Sequence, residues 1–256
     1  MSRRRFYVPD DSIHEGAAVL PPDQAHHLRH VLRLRDGDPI EIFDGKGAGY
    51  SGIVSYRGDE VHVRSLREIS LPENQERGLV LAQALLKADK FEWVLQKATE
   101  LGASEFIPLE TKFCDVRIPE SRIHARMERW QRIVREAARQ SCRFAVPGVR
   151  MPMSAEKLFK SKRHALLKGL FLYENATERW SGNLPRAENC ILCVGPEGGW
   201  HPDEAEAAVL AGFHSFNLGP RILRAETAAL AAVTLIQFQI ADCELQIERP
   251  GAPDVA

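Results

Sequence analysis

A carboxylate stands inside a glycine-rich bend at Gly195-Pro196-Glu197-Gly198-Gly199, and a second glycine turn, Gly219-Pro220-Arg221, follows downstream. Free backbone N–H groups ahead of a helix ordinarily attract phosphate. Glu197 would repel one, no Lys-Ser/Thr pair follows as in a phosphate loop, and the pattern G-x-G-x-x-G is absent. The bend therefore suits a neutral or cationic ligand, unless its glycines only make tight turns and Glu197 faces solvent. Arginines offer a different chemistry. Arg122, Arg126, Arg129, Arg132, Arg135, Arg139 and Arg143 recur every three or four residues, which places them on one broad helical face. Such a face can track a phosphate backbone, or pair with Glu120, Glu128 and Glu136. His26, Arg29, His30 and Arg33 make a shorter basic face, with Arg3, Arg4 and Arg5 nearby in sequence. His26 and His30 have metal-ligand spacing, but no third ligand is evident and no metal is expected. Cys190 and Cys193 form a C-x-x-C without a second pair, so packing is expected there rather than zinc or redox chemistry.

The elements that must position these groups follow from periodicity. Ile191-Leu192-Cys193-Val194 reads as a buried strand feeding the first bend. His201-Pro202-Asp203-Glu204 opens a helix, with proline and acids in its first turn, and Gly212 closes it. Phe213 to Leu218 reads as the next strand, and a helix starts near Glu226. That helix is apolar nearly all round (Ala228, Leu230, Ala232, Val233, Leu235, Ile236, Phe238), so it is buried against its own core or a partner chain. Two strand–turn–helix units in a row put both turns at the carboxyl ends of neighbouring strands, where open α/β sheets bind ligands. Upstream, Leu79 to Leu85 is a strand apolar on both faces. A helix follows with Asp89 as N-cap and Glu92 completing a variant capping box, the stripe Phe91, Val94, Leu95, Ala98, Leu101, and Gly102 as its end. Ile107-Pro108-Leu109 belongs to another strand, and a long helix runs from about Glu120 to Cys142. Alternation of this kind predicts an α/β fold with a mainly parallel sheet.

Residues 1–70 differ. Pro39 to Phe43, Tyr50 to Tyr56 and Glu60 to Arg67 alternate apolar and polar residues, which predicts hairpins and a small β-barrel. One helix interrupts them from Pro22-Asp23, with Leu28, Val31 and Leu32 sharing the face opposite the basic one. Residues 71–78 have the composition of a linker, residues 79–245 form the second domain, and 246–256 a tail. At 256 residues, 44% hydrophobic, with a formal net charge of −1, the chain is of ordinary globular composition, and nucleic-acid binding must come from local clusters. No apolar run approaches a membrane span and no signal peptide is recognisable, so a cytoplasmic location is expected, which five scattered cysteines fit.

Val194-Gly195-Pro196-Glu197-Gly198-Gly199, with Leu218-Gly219-Pro220-Arg221-Ile222-Leu223-Arg224-Ala225-Glu226-Thr227-Ala228, resembles the paired signature of the ribosomal RNA small subunit methyltransferase E family. That family belongs to the SPOUT class of S-adenosylmethionine-dependent enzymes. The likeness runs from Arg5-Phe6-Tyr7-Val8 to the last helix, and includes His27 to Arg33 and Arg129 to Arg143. It implies a PUA-like RNA-binding barrel, a trefoil-knotted SPOUT domain and a homodimer through that domain. Physics alone would not propose the knot. The implied reaction is methyl transfer from S-adenosylmethionine to N3 of a uridine in small-subunit (16S) ribosomal RNA, free or in the assembled subunit. Cofactor-binding residues implied by the motif are Leu172, Val194, Gly195, Pro196, Glu197, Gly198, Gly199, Leu218, Gly219, Ile222, Leu223, Arg224, Thr227 and Ala228. Arg224 is expected to stabilise the developing uridine anion, with Glu197 or Glu226 assisting proton removal, although Glu226 also suits helix capping. Arg5, Arg29, Arg33, Arg132, Arg139 and Arg143 are the expected RNA contacts. Phe113-Cys114-Asp115 departs from the family's common arginine-serine step. Two readings from other classes stand beside this one: a non-catalytic RNA-binding ribosome assembly factor, and a nucleotide-binding oxidoreductase, against which the missing dinucleotide fingerprint argues.

Overall fold

The computed structural model describes residues 4–14, 16–70, 78–161, 167–181 and 189–245, with side chains to 239 in the last helix. Of the expected linker only Gly78 falls among them, and the expected tail, 246–256, lies outside the described residues. The chain divides into two compact units, and the division is not contiguous in sequence. Met1–Gln75 and Arg132–Pro147 form one, Glu76–Gln131 and Gly148–Ala256 the other. The segment 132–147, expected in the second domain, thus belongs to the first.

The first unit is built on β1 (Arg5–Tyr7), β2 (Ile13–His14), β3 (Ala17–Val19), β4 (Pro39–Phe43), β5 (Gly49–Arg57) and β6 (Glu60–Glu68). They form one sheet in the order β1-β4-β5-β6-β3-β2, antiparallel except for the β1–β4 pair. Alternation turns Ile40, Ile42, Val54, Val61 and Val63 into a core shared with Phe6, Val8 and Leu28. The helix α1 (Pro22–His26) continues into one π-turn, His27–Val31. The wider turn shifts the side-chain register. Leu28 is buried, but Val31 and Leu32 are 61% and 40% exposed, so the three do not share one buried face. Cys142 takes a left-handed conformation (φ 65°) just past helix α3 (Glu120–Gln140). Phe144 then lies flat on the sheet where Gly49 has no side chain; a Cβ there would stand 2.3 Å from the ring. Val146 N–H donates to the Gly45 carbonyl at 2.9 Å and the Arg135 guanidinium stacks on Tyr7.

The second unit holds β7 (Leu79–Ala84), α2 (Lys90–Glu100), β8 (Glu105–Glu110), the first turns of α3, β9 (Gly148–Val149), β10 (Met153–Ser154), α4 (Ala155–Phe159), β11 (Lys168–Leu172), β12 (Cys190–Val194), α5 (Pro202–Leu210), β13 (His214–Phe216) and α6 (Ala225–Leu245). Its sheet runs β10-β8-β7-β12-β11-β13 with β9 on β8, and every pair is parallel, as the alternation predicts. The central strands β7 and β12 are buried at every position, which is why their sequences are unbroken apolar runs. Cys190 and Cys193, three apart on β12, project to opposite faces. Burial pushes the Cys190 thiol up to about 12 and raises that of Cys193 as well. The pair cannot share a ligand.

Local details depart from expectation in three places. Asp89 makes no side-chain cap on α2; Glu92 turns outward instead, accepting from Arg129 at 2.7 Å and Arg126 at 3.3 Å. The capping box belongs to α5, where His201 Nδ1 accepts from Asp203 N–H and Glu204 accepts from His201 N–H, both at 3.2 Å. On α6, Ala225, Ala229, Ala232, Val233 and Ile236 are buried, while Leu235 and Phe238 are 39% and 64% exposed. The chain's own core therefore covers only part of that apolar helix. No helix among the described residues is long and apolar enough to cross a membrane. Gly49→Ala should cost about 1–3 kcal/mol through overpacking against Phe144; denaturant titration that returned wild-type stability would refute this docking of 132–147 on the sheet.

Candidate functional site

The carboxyl ends of β11, β12 and β13 meet at one cleft of 890 Å³ in the second unit. Each strand end turns because of a specific local contact. After β12 the chain bends at Gly195, whose missing Cβ would lie 3.0 Å from the Trp200 indole nitrogen. That nitrogen donates to the Leu172 carbonyl at 3.0 Å, and its ring lies 4.6 Å from Phe171, so β11 and the bend are fastened from below. Gln83, buried on β7, donates to the Gly195 carbonyl at 3.2 Å. Gly199 takes φ 74°, and a Cβ would stand 2.6 Å from Glu174 Oε1, so only glycine fits there. After β13, Asn217 ties the second turn to the segment beyond β11: its side-chain nitrogen donates to Ala176 at 2.7 Å and its oxygen accepts from Gly219 N–H at 2.9 Å. Gly219, at φ 110°, leaves room for the Arg179 guanidinium.

Leu172, Val194, Gly195, Pro196, Glu197, Gly198, Gly199, Leu218, Gly219, Ile222, Leu223, Arg224 and Ala228 all line this cleft. Two residues expected there do not. Glu226 and Thr227 are absent from the lining. They share the first turn of α6 with Ala225 and Ala228, which are three apart and hold the cleft face, so the residues between them rotate away. Glu226 is directed at α2, with Oε1 3.6 Å from the Lys90 ammonium and Oε2 buried without a hydrogen bond. Lys90 also lies 3.3 Å from Glu197 Oε1, which accepts from the Lys87 N–H at 3.2 Å. One lysine thus joins both acids proposed from sequence. Sequence reasoning missed Lys90, and also Glu174, Arg179, Trp200, Asn217, Pro220 and Arg221, which line the cleft as well. The available signal was positional: Glu174 and Asn217 each follow the carboxyl end of a parallel strand.

The departure at Phe113-Cys114-Asp115 fills a structural role. Phe113 backs onto Gly198 and stacks at 5.2 Å on His201. Cys114, whose thiol is raised by burial, donates to the Leu85 carbonyl. The Lys87 ammonium, hydrogen-bonded to Asp115, holds that carboxyl below its usual range. Glu204, buried at the start of α5, accepts from the Lys112 N–H at 2.9 Å and pins the same segment.

The six arginines expected to meet RNA all belong to the first unit, although 99 residues separate Arg33 from Arg132. Two of them already have partners within the fold. Arg5 is 2% exposed, bonded through Nε and Nη2 to Glu41 at 3.0 and 2.5 Å and stacked on Phe144, so it offers no face to a phosphate. Arg29 donates to the Gly58 and Glu60 carbonyls at 2.8 and 3.3 Å and stacks on Tyr56, closing the β5–β6 turn. Arg33 and Arg132 are exposed, Arg139 pairs with Glu136 at 2.9 Å, and Arg143 is half-buried. No cluster suited to a metal occurs among the described residues.

Comparison with known proteins agrees with this geometry. Residues 73–237 match the model of an RNA methyltransferase domain, and residues 20–64 that of an RNA methyltransferase PUA domain. A ribosomal RNA small subunit methyltransferase E from Mycobacterium bovis is 34% identical over 89% of this chain and 88% of its own length. Its counterpart from Bacillus subtilis is 32% identical over 85% and 88%. The crystal structure of a ribosomal RNA small subunit methyltransferase E from Neisseria gonorrhoeae, bound to S-adenosyl methionine, is 31% identical and superposes with a TM-score of 0.82, covering 92% of this chain and 97% of that one. The cleft at the strand ends, the N-terminal PUA-type domain and similarity across nearly the whole chain lead to one conclusion: the chain belongs to the ribosomal RNA small subunit methyltransferase E family.

Proposed function

We propose that this protein transfers a methyl group from S-adenosylmethionine to N3 of a uridine in small-subunit (16S) ribosomal RNA. The observation that carries the reading is the cleft itself. It is floored by Leu172, Val194, Leu218 and Ala228, narrowed by glycines that admit no side chain, and edged by Glu174 and Glu197. An apolar floor takes an adenosine ring system, and the Glu174 carboxylate at its edge can meet a cationic group of the ligand. At 890 Å³ the volume lies within the range of cofactor sites.

Once bound, the cofactor supplies a methyl group already activated on sulfur, so the chain need not generate an electrophile. Its residues must align the acceptor nitrogen and take away the imide proton. Alignment contributes about 7–11 kcal/mol, against roughly 3–5 kcal/mol from a general base, so positioning dominates. Arg224, exposed in the cleft wall with no side-chain partner among the described residues, meets the negative charge that develops on the uracil carbonyls. Glu197, held by Lys90 and the Lys87 N–H, is the better placed acid for the proton; Glu226 acts on it through Lys90. Arg33 and Arg132, with Arg139 and Arg143, draw in the RNA backbone, and the target base leaves its stack to reach the cleft. The substrate is free ribosomal RNA or the assembled small subunit.

A homodimer through the catalytic domain is part of the proposal, supported by the uncovered Leu235 and Phe238 on α6. The proposal also includes the trefoil knot, which the family resemblance implies, and the closure of the first sheet into a barrel and a cytoplasmic location, which strand alternation and composition lead one to expect. The second reading, an assembly factor that binds RNA without catalysis, is favoured by no particular contact in the cleft.

Arg224→Ala should lower kcat about 100-fold while calorimetry shows cofactor affinity unchanged; equal loss of both would move Arg224 from catalysis to cofactor binding. Gly199→Val should abolish the heat of S-adenosylmethionine binding, and a variant that still bound the cofactor would place it elsewhere. An assembly factor would give no binding heat even as wild type. Phe238→Glu should convert the dimer to monomers in sedimentation; a dimer that persisted would relocate the interface.

A further inference from the structure

A second cavity, of 260 Å³, lies in the same unit beside the start of α2, between that helix, the segment after β8 and the first turns of α3. Its floor is apolar. Val116 and Ile118 are half-buried there and Pro119 is exposed, beside Phe91 and Trp130, which are buried against each other with ring centroids 4.7 Å apart. Arg117, Arg122 and Arg126 stand on its rim with a single acid, Glu92. That carboxylate is already engaged, since Arg129 donates to both of its oxygens at 2.7 Å and Arg126 adds a bond at 3.3 Å. Arg117 donates to the Val116 and Thr111 carbonyls at 3.2 Å. Arg122 is exposed and has no side-chain partner among the described residues. Three guanidinium groups line the cavity beside one carboxylate, which a fourth, that of Arg129, already neutralises, and this leaves a local excess of positive charge.

The floor and the rim ask for different halves of one ligand. A bare anion would leave the apolar floor at Val116, Ile118 and Pro119 uncovered, and a purely apolar group would leave the arginines unmatched. A nucleotide satisfies both, with its base against apolar side chains and its phosphate on guanidinium groups. The position also fits. Ala88 in the pocket wall takes φ 54°, a left-handed conformation costly for alanine. Two residues on, Lys90 lines the methyl-transfer cleft. The two cavities thus share the start of α2.

We propose that this pocket receives a nucleotide of the RNA strand other than the uridine being methylated, with its base on the apolar floor at Ile118 and Pro119 and its phosphate on Arg122 and Arg126. The inference rests on the RNA-methyltransferase reading above. It is tested with the full chain and two variants, Arg122→Gln at the rim and Ile118→Trp, which fills the floor. Binding of a labelled single-stranded RNA is followed across salt concentrations, with S-adenosylmethionine calorimetry and thermal melting run in parallel. Arg122→Gln should weaken RNA about tenfold and reduce the slope of log affinity against log salt by about 0.7. Ile118→Trp should weaken RNA with the slope unchanged, and both variants should bind cofactor as wild type does. Uridine 5′-monophosphate should compete for the site better than uridine or inorganic phosphate. Wild-type RNA affinity in both cofactor-binding variants would overturn the pocket and leave the methyltransferase reading standing, and phosphate competing as well as the nucleotide would reduce it to an anion site. Cofactor binding without any RNA binding by the wild-type chain would overturn both.

Discussion

The fastening of Trp200 beneath the bend at Gly195 is the constraint on which the rest of the cleft depends. One indole N–H, buried and bonded to the Leu172 carbonyl, joins the end of β11 to the turn after β12. An unmade hydrogen bond at such a depth would cost about 1–3 kcal/mol, so the indole and the carbonyl hold each other in place. Gly195 is what allows the ring to come so close. With that contact made, Gly198 and Gly199 face the cleft with no side chain in the way, and α5 is launched with His201 and Glu204 capping it.

The second wall is held by polar tethers rather than by packing. Asn217 satisfies the backbone on both sides of it, and Gly219 makes space for Arg179. Such walls are inexpensive to rearrange compared with a close-packed core, which suits loops that must admit a cofactor. The charged groups obey a similar economy. Lys90 lies between Glu197 and Glu226, so neither carboxylate stands alone at the edge of an apolar cleft, where an unpaired charge is costly. The arginines divide into those closing the fold, such as Arg5 and Arg29, and those left to solvent, such as Arg33 and Arg132. The type of residue is the same in both sets; its neighbours make the difference.

The sequence by itself determined the elements and the place of the cleft. Unbroken apolar runs at β7 and β12 specify strands covered on both faces, glycines at 102, 199, 212 and 219 specify left-handed turns, and strand–helix alternation specifies a parallel sheet with a cleft at its carboxyl edge. These signals are local, so they survive in a string of letters. Tertiary structure decided which way each side chain on those elements points and what it meets. Glu92 serves Arg129 rather than capping its own helix, and Glu226 turns to Lys90 rather than into the cleft. Arg5 disappears under Phe144, and residues 132–147 join a unit that ends in sequence some sixty residues earlier. Each of these outcomes depends on a partner remote in sequence, and periodicity carries no information about such partners.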